Sequence, residues 1–115
     1  MSAMGFPERD WKHLSRLKPM ALDRLCHRIL AEAQALIGTG ADGKYHTTYL
    51  TLYRRIQAQD QVVADCFNDW RRSQAQFLLI EWRRHHLITD EEYAGFSDAT
   101  RAAVEAWFSI MGEER

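Results

Sequence analysis

Residues 19–37, PMALDRLCHRILAEAQALI, carry the clearest periodic pattern of the chain. Apolar side chains recur there in steps of four and three, which is the spacing of one face of an α-helix. The residues of that face are Leu22, Cys26, Ile29, Ala33 and Leu36. Charged side chains such as Asp23 and Glu32 fall on the other side of the helix. The pattern predicts an amphipathic helix, and Gly38 directly after it predicts a left-handed C-terminal cap.

This helix leads into residues 38–43, GTGADG, here called the glycine loop, which match the G-x-G-x-x-G spacing of dinucleotide-binding loops. That fingerprint needs a strand before the glycines, because the strand delivers the chain to the tight turn that holds the phosphates. Here an amphipathic helix precedes them, and no strand pattern occurs in the sequence. The six residues therefore predict a hairpin loop between two helices. An anion site at Gly43 and Lys44, where the next helix begins, is the alternative.

A second amphipathic pattern follows the loop and keeps one phase from Tyr45 to Trp70. It predicts one long helix from residue 44, spanning roughly 39 Å at 1.5 Å per residue. Its weakest point is residues 57–61, QAQDQ, where a break capped by Asp60 is the alternative. Residues 77–80, FLLI, are apolar all round, which favours either a central helix or a subunit interface.

The two ends of the chain complete the fold prediction. Residues 7–17 predict a short N-terminal helix, and Thr89 begins a capping box for a helix of one to two turns. Ser97 predicts the N-cap of a last helix. The predicted inward face of that last helix carries Ala99, Ala103, Ala106, Trp107 and Ile110. The sequence thus predicts an all-α single domain over residues 1–115, a bundle of four to five helices with one long central helix and no β-sheet.

Composition and charge restrict the class of protein. The net charge is −1, but residues 89–115 alone hold seven Asp/Glu and two Lys/Arg. This balance is unlike the basic excess of a strong nucleic-acid binder. The sequence lacks a signal-peptide pattern and a membrane-length apolar run, and Cys26 and Cys66 fall on apolar stripes without zinc-like spacing. These features predict a soluble, cytoplasmic protein without a membrane partner.

Three arginine pairs, Arg54/Arg55, Arg71/Arg72 and Arg83/Arg84, suggest an alternative function. Two of the pairs follow tryptophans, and arginine beside an aromatic ring can hold phosphate while bases stack. The twelve residues between the two W-R-R triplets correspond to about 120° of helix rotation, so the triplets do not share a face. We favour arginines at the rim of the core that pair with local carboxylates. A nucleic-acid-associated regulator is the alternative.

Metal binding and catalysis have weaker support in the sequence. A carboxylate and an imidazole share a helix face in three places, Asp10/His13, Asp23/His27 and Glu81/His85. The informative pattern, a Glu-x-x-His pair on each of two helices, is missing. We interpret the three as surface ion pairs and expect no metal ion, no cofactor and no catalytic residue. A small-ligand or metal-binding bundle is the third hypothesis.

The tyrosines at the start of the long helix provide the main functional hypothesis. Tyr45, Tyr49 and Tyr53 are spaced four residues apart, and a side chain with an apolar ring and a polar hydroxyl suits an interface. With the apolar turn at 77–80, they predict a non-catalytic helical module that binds proteins or scaffolds an assembly as a homodimer. The candidate interaction residues are Tyr45, Tyr49, Tyr53, Trp70, Phe77, Leu78, Leu79, Trp82, Arg83 and His86.

Overall fold

The computed structural model describes residues 5–40 and 43–112, and the regular elements in these residues are all helical. The α-helices are α1 (Glu8–Thr39), α2 (Tyr45–Val63), α3 (Ala75–Arg84), α4 (Asp90–Tyr93) and α5 (Asp98–Met111). A π-helical turn (Ala64–Asn68) and a 3₁₀ turn (Arg72–Gln74) lie between α2 and α3. Since these ranges contain five α-helices and no strand, the predicted all-α fold is confirmed.

The long helix of the bundle is α1, whose 32 residues join two segments predicted as separate helices. Pro19 lies inside it, where a proline removes one main-chain hydrogen bond and crowds the preceding turn. Packing carries the helix across that position, because Leu17 and Ala21 are buried in the core while Pro19 is exposed. The predicted short helix at 7–17 is therefore wrong as a separate element, and so is the prediction that the longest helix starts at residue 44.

The glycine loop, of which residues 41 and 42 lie outside the described ranges, connects α1 to α2 as predicted. The predicted cap is wrong, because Gly38 is still helical and the cap is Gly40, whose φ of −87° is not left-handed. The left-handed position is Gly43, with φ of 99°. Gly40 is needed for a different reason: a Cβ there would lie 2.7 Å from Oγ1 of Thr48 on α2. The glycine therefore lets the two helices approach closely.

The helix that follows the loop is shorter than predicted. α2 ends at Val63, where the π-helical turn begins, and Trp70 lies beyond the break. The predicted weak point at residues 57–61 is wrong. Those residues stay helical, and Gln59 among them donates its side-chain amide to Glu32 of α1 at 3.5 Å. The break lies further along the chain, at the π-helical and 3₁₀ turns, so α2 and α3 are two separate helices.

The core lies between the first half of α1 and the helices α3, α4 and α5. α3 is at its centre, because Leu78, Leu79, Ile80 and Trp82 are all nearly or fully buried. Of the two alternatives for the apolar turn at 77–80, the structure shows the central helix. We call residues 5–25 and 64–112 the body of the protein.

The N-terminal caps of α4 and α5 are confirmed. The Thr89 hydroxyl accepts from the main-chain N–H of Glu92 at 3.0 Å, and the Glu92 carboxylate accepts from the N–H of Thr89 at 2.9 Å. Ser97 caps α5 by accepting from the N–H of Thr100. These bonds satisfy main-chain donors that a helix start leaves without partners.

The inward face of α5 differs from the prediction. Thr100, Val104 and Phe108 are buried, while Ala99, Ala106 and Ile110 of the predicted face are exposed. The rotation of the helix is set by Asp10 of α1, which is fully buried and accepts hydrogen bonds from both Ser97 and Thr100. A stripe of small residues does not reveal such a polar anchor.

The second half of α1 and the whole of α2 form an antiparallel pair that we call the hairpin arm, residues 26–39 and 45–63. No residue in these two ranges is buried. The Cα radius of gyration is 17.2 Å, whereas a compact chain of this length has about 13 Å. The arm therefore projects from the body. None of the described helices has the length and apolar character needed to cross a membrane.

Candidate functional site

Large apolar side chains that are open to solvent concentrate on the hairpin arm. Six of them are between 40 and 70% exposed: Leu30, Ile37, Tyr45, Tyr49, Tyr53 and Ile56. The rings of Tyr49 and Tyr53 stack on each other, with centroids 6.4 Å apart. Single exposed apolar residues are ordinary on a protein surface, but a cluster of this kind marks an interaction site.

Helix geometry places these six side chains on one side of the arm. The two helices meet along half-buried positions, which include Ile29 and Leu36 on α1 and Thr48 and Leu52 on α2. Leu30, Ile37, Tyr49 and Tyr53 each come directly after one of these positions, and Ile56 follows Arg55, which pairs with Glu32 of α1. Each step of one residue along an α-helix turns the direction of the side chain by about 100° around the helix axis. In an antiparallel pair, rotation in the same sense leads to the same side. Tyr45 lies about one turn before Tyr49 on the same side of α2, so the six residues form one surface, the tyrosine face.

The opposite side of the arm is polar or small. The residues that come directly before the same contact positions are Arg28 and Ala35 on α1 and Thr47 and Thr51 on α2. All four are exposed. The arm therefore has one apolar side and one hydrophilic side, which is the pattern of a helix pair that packs against a further layer.

Charge also changes along α2. Lys44 precedes the first turn of the helix, whereas Asp60 and Asp65 lie at its other end. Near the middle, Arg55 is paired with Glu32 at 2.8 Å, which neutralises it within the arm. Along α2 the charge thus changes from basic to acidic, while Arg28 of α1 places a cation at the base of the arm.

Three of the predicted interaction residues lie in the body and not at the surface. Leu78, Leu79 and Trp82 are 2% exposed or less, so their assignment to an interaction surface is wrong. The chain itself covers α3 on most sides. An apolar turn in a sequence has the same pattern whether its own chain or a second subunit covers it. Phe77 is the exception: it is exposed and lines an open groove of about 950 Å³ beside Phe6.

The other predicted interaction residues have local roles. Trp70 is half-buried and stacks on Trp82 with ring centroids 6.0 Å apart. The guanidinium of Arg83 lies 4.0 Å from the ring centre of Tyr93. His86 is exposed and has a φ of 56°, which forms the turn after α3.

Most arginines of the three pairs contact other residues of the same chain. Arg71 contacts Asp69 at 2.7 Å, Arg84 contacts Glu81 at 2.8 Å, and Arg72 donates to the main-chain oxygen of Phe6 at 2.6 Å. These contacts agree with the interpretation of arginines at the rim of the core. They also reduce the number of cations that could meet a phosphate backbone, so they count against the nucleic-acid alternative.

A second cluster lies at the base of the arm, where the π-helical turn meets α3. The Sγ of Cys66, a carboxylate oxygen of Glu81 and a ring nitrogen of His85 all lie within 4.8 Å of one another. We call these three residues the ligand cluster. Burial raises the pKa of the Cys66 thiol to about 12, and the negative charges of Glu81 and Asp65 add to the shift. The sequence paired Glu81 with His85, but Cys66 joins them only through the fold.

Main-chain contacts hold His85 in place. Arg28 of α1 donates to the carbonyl oxygens of His85 and His86, and Arg24 donates to that of Leu87 at 2.9 Å. Carbonyl groups at the end of a helix lack partners within it, and cations there interact favourably with the helix dipole. The end of α3 is thus fixed to α1 at the point where the arm leaves the body.

Two carboxylates join the elements of the body. Burial by itself would raise the pKa of Asp10, but hydrogen bonds from Ser97 and Thr100 outweigh burial and lower it. The Arg24 guanidinium forms a two-bond contact with Glu92, at 2.7 and 2.9 Å, and lowers the pKa of that carboxyl to about 2. The sequence predicted Glu92 only as part of a cap. It indicated neither the contact of Glu92 with Arg24 nor the contacts of Asp10 with α5.

Comparison of the chain with known protein families, with curated proteins and with solved structures finds no match.

Proposed function

We propose that the protein is a homodimeric assembly module whose hairpin arms pack face to face, tyrosine face on tyrosine face. The observation that carries the proposal is the one-sided arm: two amphipathic helices direct their apolar residues to the same side and lack a third layer. A second copy supplies that layer, and the two hairpins together form a four-helix bundle. In a two-fold dimer the same surface serves both chains, so no other complementary site is needed.

The size of the tyrosine face supports a second copy as the occupant. Tyr45, Tyr49 and Tyr53 alone expose about 370 Å², taking about 200 Å² for each residue. Stable interfaces bury about 800 Å² on each partner. Three tyrosines therefore supply nearly half of the required area, before Leu30, Ile37 and the rest of the arm are included.

The charges along α2 support an antiparallel arrangement of the two arms. A two-fold axis across the middle of α2 brings Lys44, before the start of one α2, near Asp60 and Asp65 at the end of the other. A parallel arrangement would place like charges opposite each other. Complementary charge of this kind fixes the orientation of partners more than it adds affinity.

Light scattering coupled to size exclusion tests the proposal. The expected mass of the wild type is twice the 13.5 kDa of one chain. The double variant Tyr49→Glu/Tyr53→Glu should associate at least about 100-fold more weakly, because it buries carboxylates that lack partners. The matched control is Thr47→Glu/Thr51→Glu, which places the same charges on the opposite side of the same helix and should remain dimeric. A wild-type mass of one chain, or equal dissociation of both double variants, would overturn the proposal.

The cellular location belongs to the same proposal. Cys26 and Cys66 are free thiols. Unpaired cysteines are typical of a reducing compartment, which supports a cytoplasmic location. Thiol labelling after acid quenching and denaturation of intact cells checks this, since both cysteines should then be recovered in the reduced form.

A further inference from the structure

The ligand cluster combines three side chains that metal ions use, brought together from two elements. Cys66 comes from the π-helical turn, while Glu81 and His85 lie one turn apart on the same side of α3. Thiolate, imidazole and carboxylate are the ligands of zinc in proteins, and three protein ligands with one open position is a common zinc arrangement. The Nε2 of His85 lies 3.6 Å from Oε1 of Glu81, close to the separation of two ligands around one tetrahedral ion.

The local backbone explains why Cys66 is in this position. An unbroken α2 would continue through residue 66 with ordinary helical geometry. Instead the ladder widens into a π-helical turn over residues 64–68, and the indole of Trp82 donates to the main-chain oxygen of Cys66 at 2.9 Å. Single π turns of this kind occur frequently at functional sites. This turn directs a buried thiol towards the polar side chains of α3.

The surroundings of the cluster suit a bound cation. A cavity of about 270 Å³ lies beside His85 and is also lined by Glu32, Gln59 and Arg28 of the arm. Since His85 lines it, the cavity leaves room for water as a fourth ligand, and Arg28 is held by the carbonyl oxygens of His85 and His86. Arg84 contacts both carboxylate oxygens of Glu81, at 3.0 and 2.8 Å. If Oε1 turns towards the ion, Oε2 still accepts the hydrogen bond from Arg84. Hydrogen bonds to the ligands of a metal ion hold those ligands in the correct orientation.

We propose that Cys66, Glu81 and His85 bind one zinc ion, with the fourth position open to the cavity beside His85. Binding replaces the proton of the thiol with the metal ion and releases that proton to solvent. The thiolate and the carboxylate then balance the two charges of zinc. The site lies in the body, away from the tyrosine face, so the proposal does not depend on dimerisation.

Cobalt substitution tests the site directly. Full-length protein, purified without a histidine tag and freed of metal by a chelator, is titrated with Co²⁺ and then with Zn²⁺. A thiolate ligand gives a charge-transfer band in the near ultraviolet, and a four-coordinate site gives strong visible bands. We expect saturation at one cobalt per chain and loss of both signals when zinc displaces the cobalt.

The two cysteines provide a matched pair of variants. Cys66→Ser should abolish the charge-transfer band, whereas Cys26→Ser should leave it unchanged. His85→Gln lies at the more exposed end of the cluster and should weaken cobalt binding at least tenfold without loss of helical circular dichroism. This variant keeps the test decisive even if Cys66→Ser folds poorly.

Several outcomes would overturn the proposal. They are the absence of any thiolate band in wild type with excess cobalt, a band that persists in Cys66→Ser, a band that requires Cys26, and cobalt affinity unchanged in His85→Gln.

Discussion

The body and the hairpin arm are both built from amphipathic helices. The body buries most of its large apolar side chains, whereas the arm leaves many of its own exposed. In the body, α3 is covered on most sides, and side chains such as Leu79 and Trp82 are fully buried. In the arm, two amphipathic helices pack mainly against each other, and none of their residues is classed as buried. Amphipathic periodicity therefore shows that a helix has an apolar side, but not whether the same chain covers it. The uncovered side of the arm is the one available to a partner, which supports the proposed assembly function.

The sharpest test of this comparison is truncation of one leucine in each region. Leu79→Ala removes a fully buried side chain from the centre of the core and should lower the free energy of unfolding by about 2–5 kcal/mol. Leu30→Ala, in the exposed part of the arm, should cost less than about 1 kcal/mol at concentrations where the chain is monomeric. Urea unfolding measures both. Equal losses would mean that the arm is part of the core.

Acid should weaken the body through Glu92. The folded-state pKa of this carboxyl is about 2, below its ordinary 4.5, so its contribution to stability is present above pH 4.5 and is lost as the pH falls towards 2. Because the ion pair with Arg24 is partly open to solvent, we expect a loss of only about 1–2 kcal/mol.

Thermal melts from pH 6 to pH 2 check this expectation in Glu92→Gln, which keeps an acceptor for the cap of α4. The variant should lose stability at neutral pH and show a smaller further loss in acid than the wild type. The exposed neighbour Glu91→Gln removes the same charge and is the control. If the two variants have the same pH profile, the Arg24–Glu92 pair does not stabilise the body.

The smallest expected effects compare two glycines at the tip of the arm. Gly38 lies in the last turn of α1 with open space around a new Cβ, so Gly38→Ala should stabilise the chain by about 0.5–1 kcal/mol. Gly40→Ala should destabilise it by a similar amount, since its Cβ would clash with Thr48. Chemical denaturation of the two variants distinguishes the signs. Stabilisation by both would mean that α1 and α2 do not meet closely at Gly40.

The sequence predicted features that depend on neighbouring residues and missed those that depend on distant ones. Thr89, Ser97 and the helical periods act within a few residues, and the all-α fold follows from them. The helices predicted separately at 7–17 and 19–37 are one helix, because packing of Leu17 and Ala21 carries it across Pro19. The Asp10 anchor that sets the rotation of α5 joins residues about ninety positions apart, so no local pattern could show it.

The candidate sites divide in the same way. Tyr45, Tyr49 and Tyr53 were identified by their spacing, and the structure places all three on one open face. Leu30 and Ile37 lie on the same face, but their place beside the tyrosines depends on how α1 and α2 pair. Cys66 joined Glu81 and His85 only because α2 ends in a π-helical turn.

Because α1 is continuous, the length of the arm sets the distance between the body and the tip of the arm. The helix has its last buried residue at Leu25 and continues without interruption to Thr39. The direction of the arm is therefore set by the core, and its length by the number of helical turns. In the proposed antiparallel dimer, the two arms would lie side by side between the two bodies, and the arm length would set the distance between the bodies. Two additional turns in each helix of the arm, about seven residues, would move the bodies apart by about 10 Å without altering either of them.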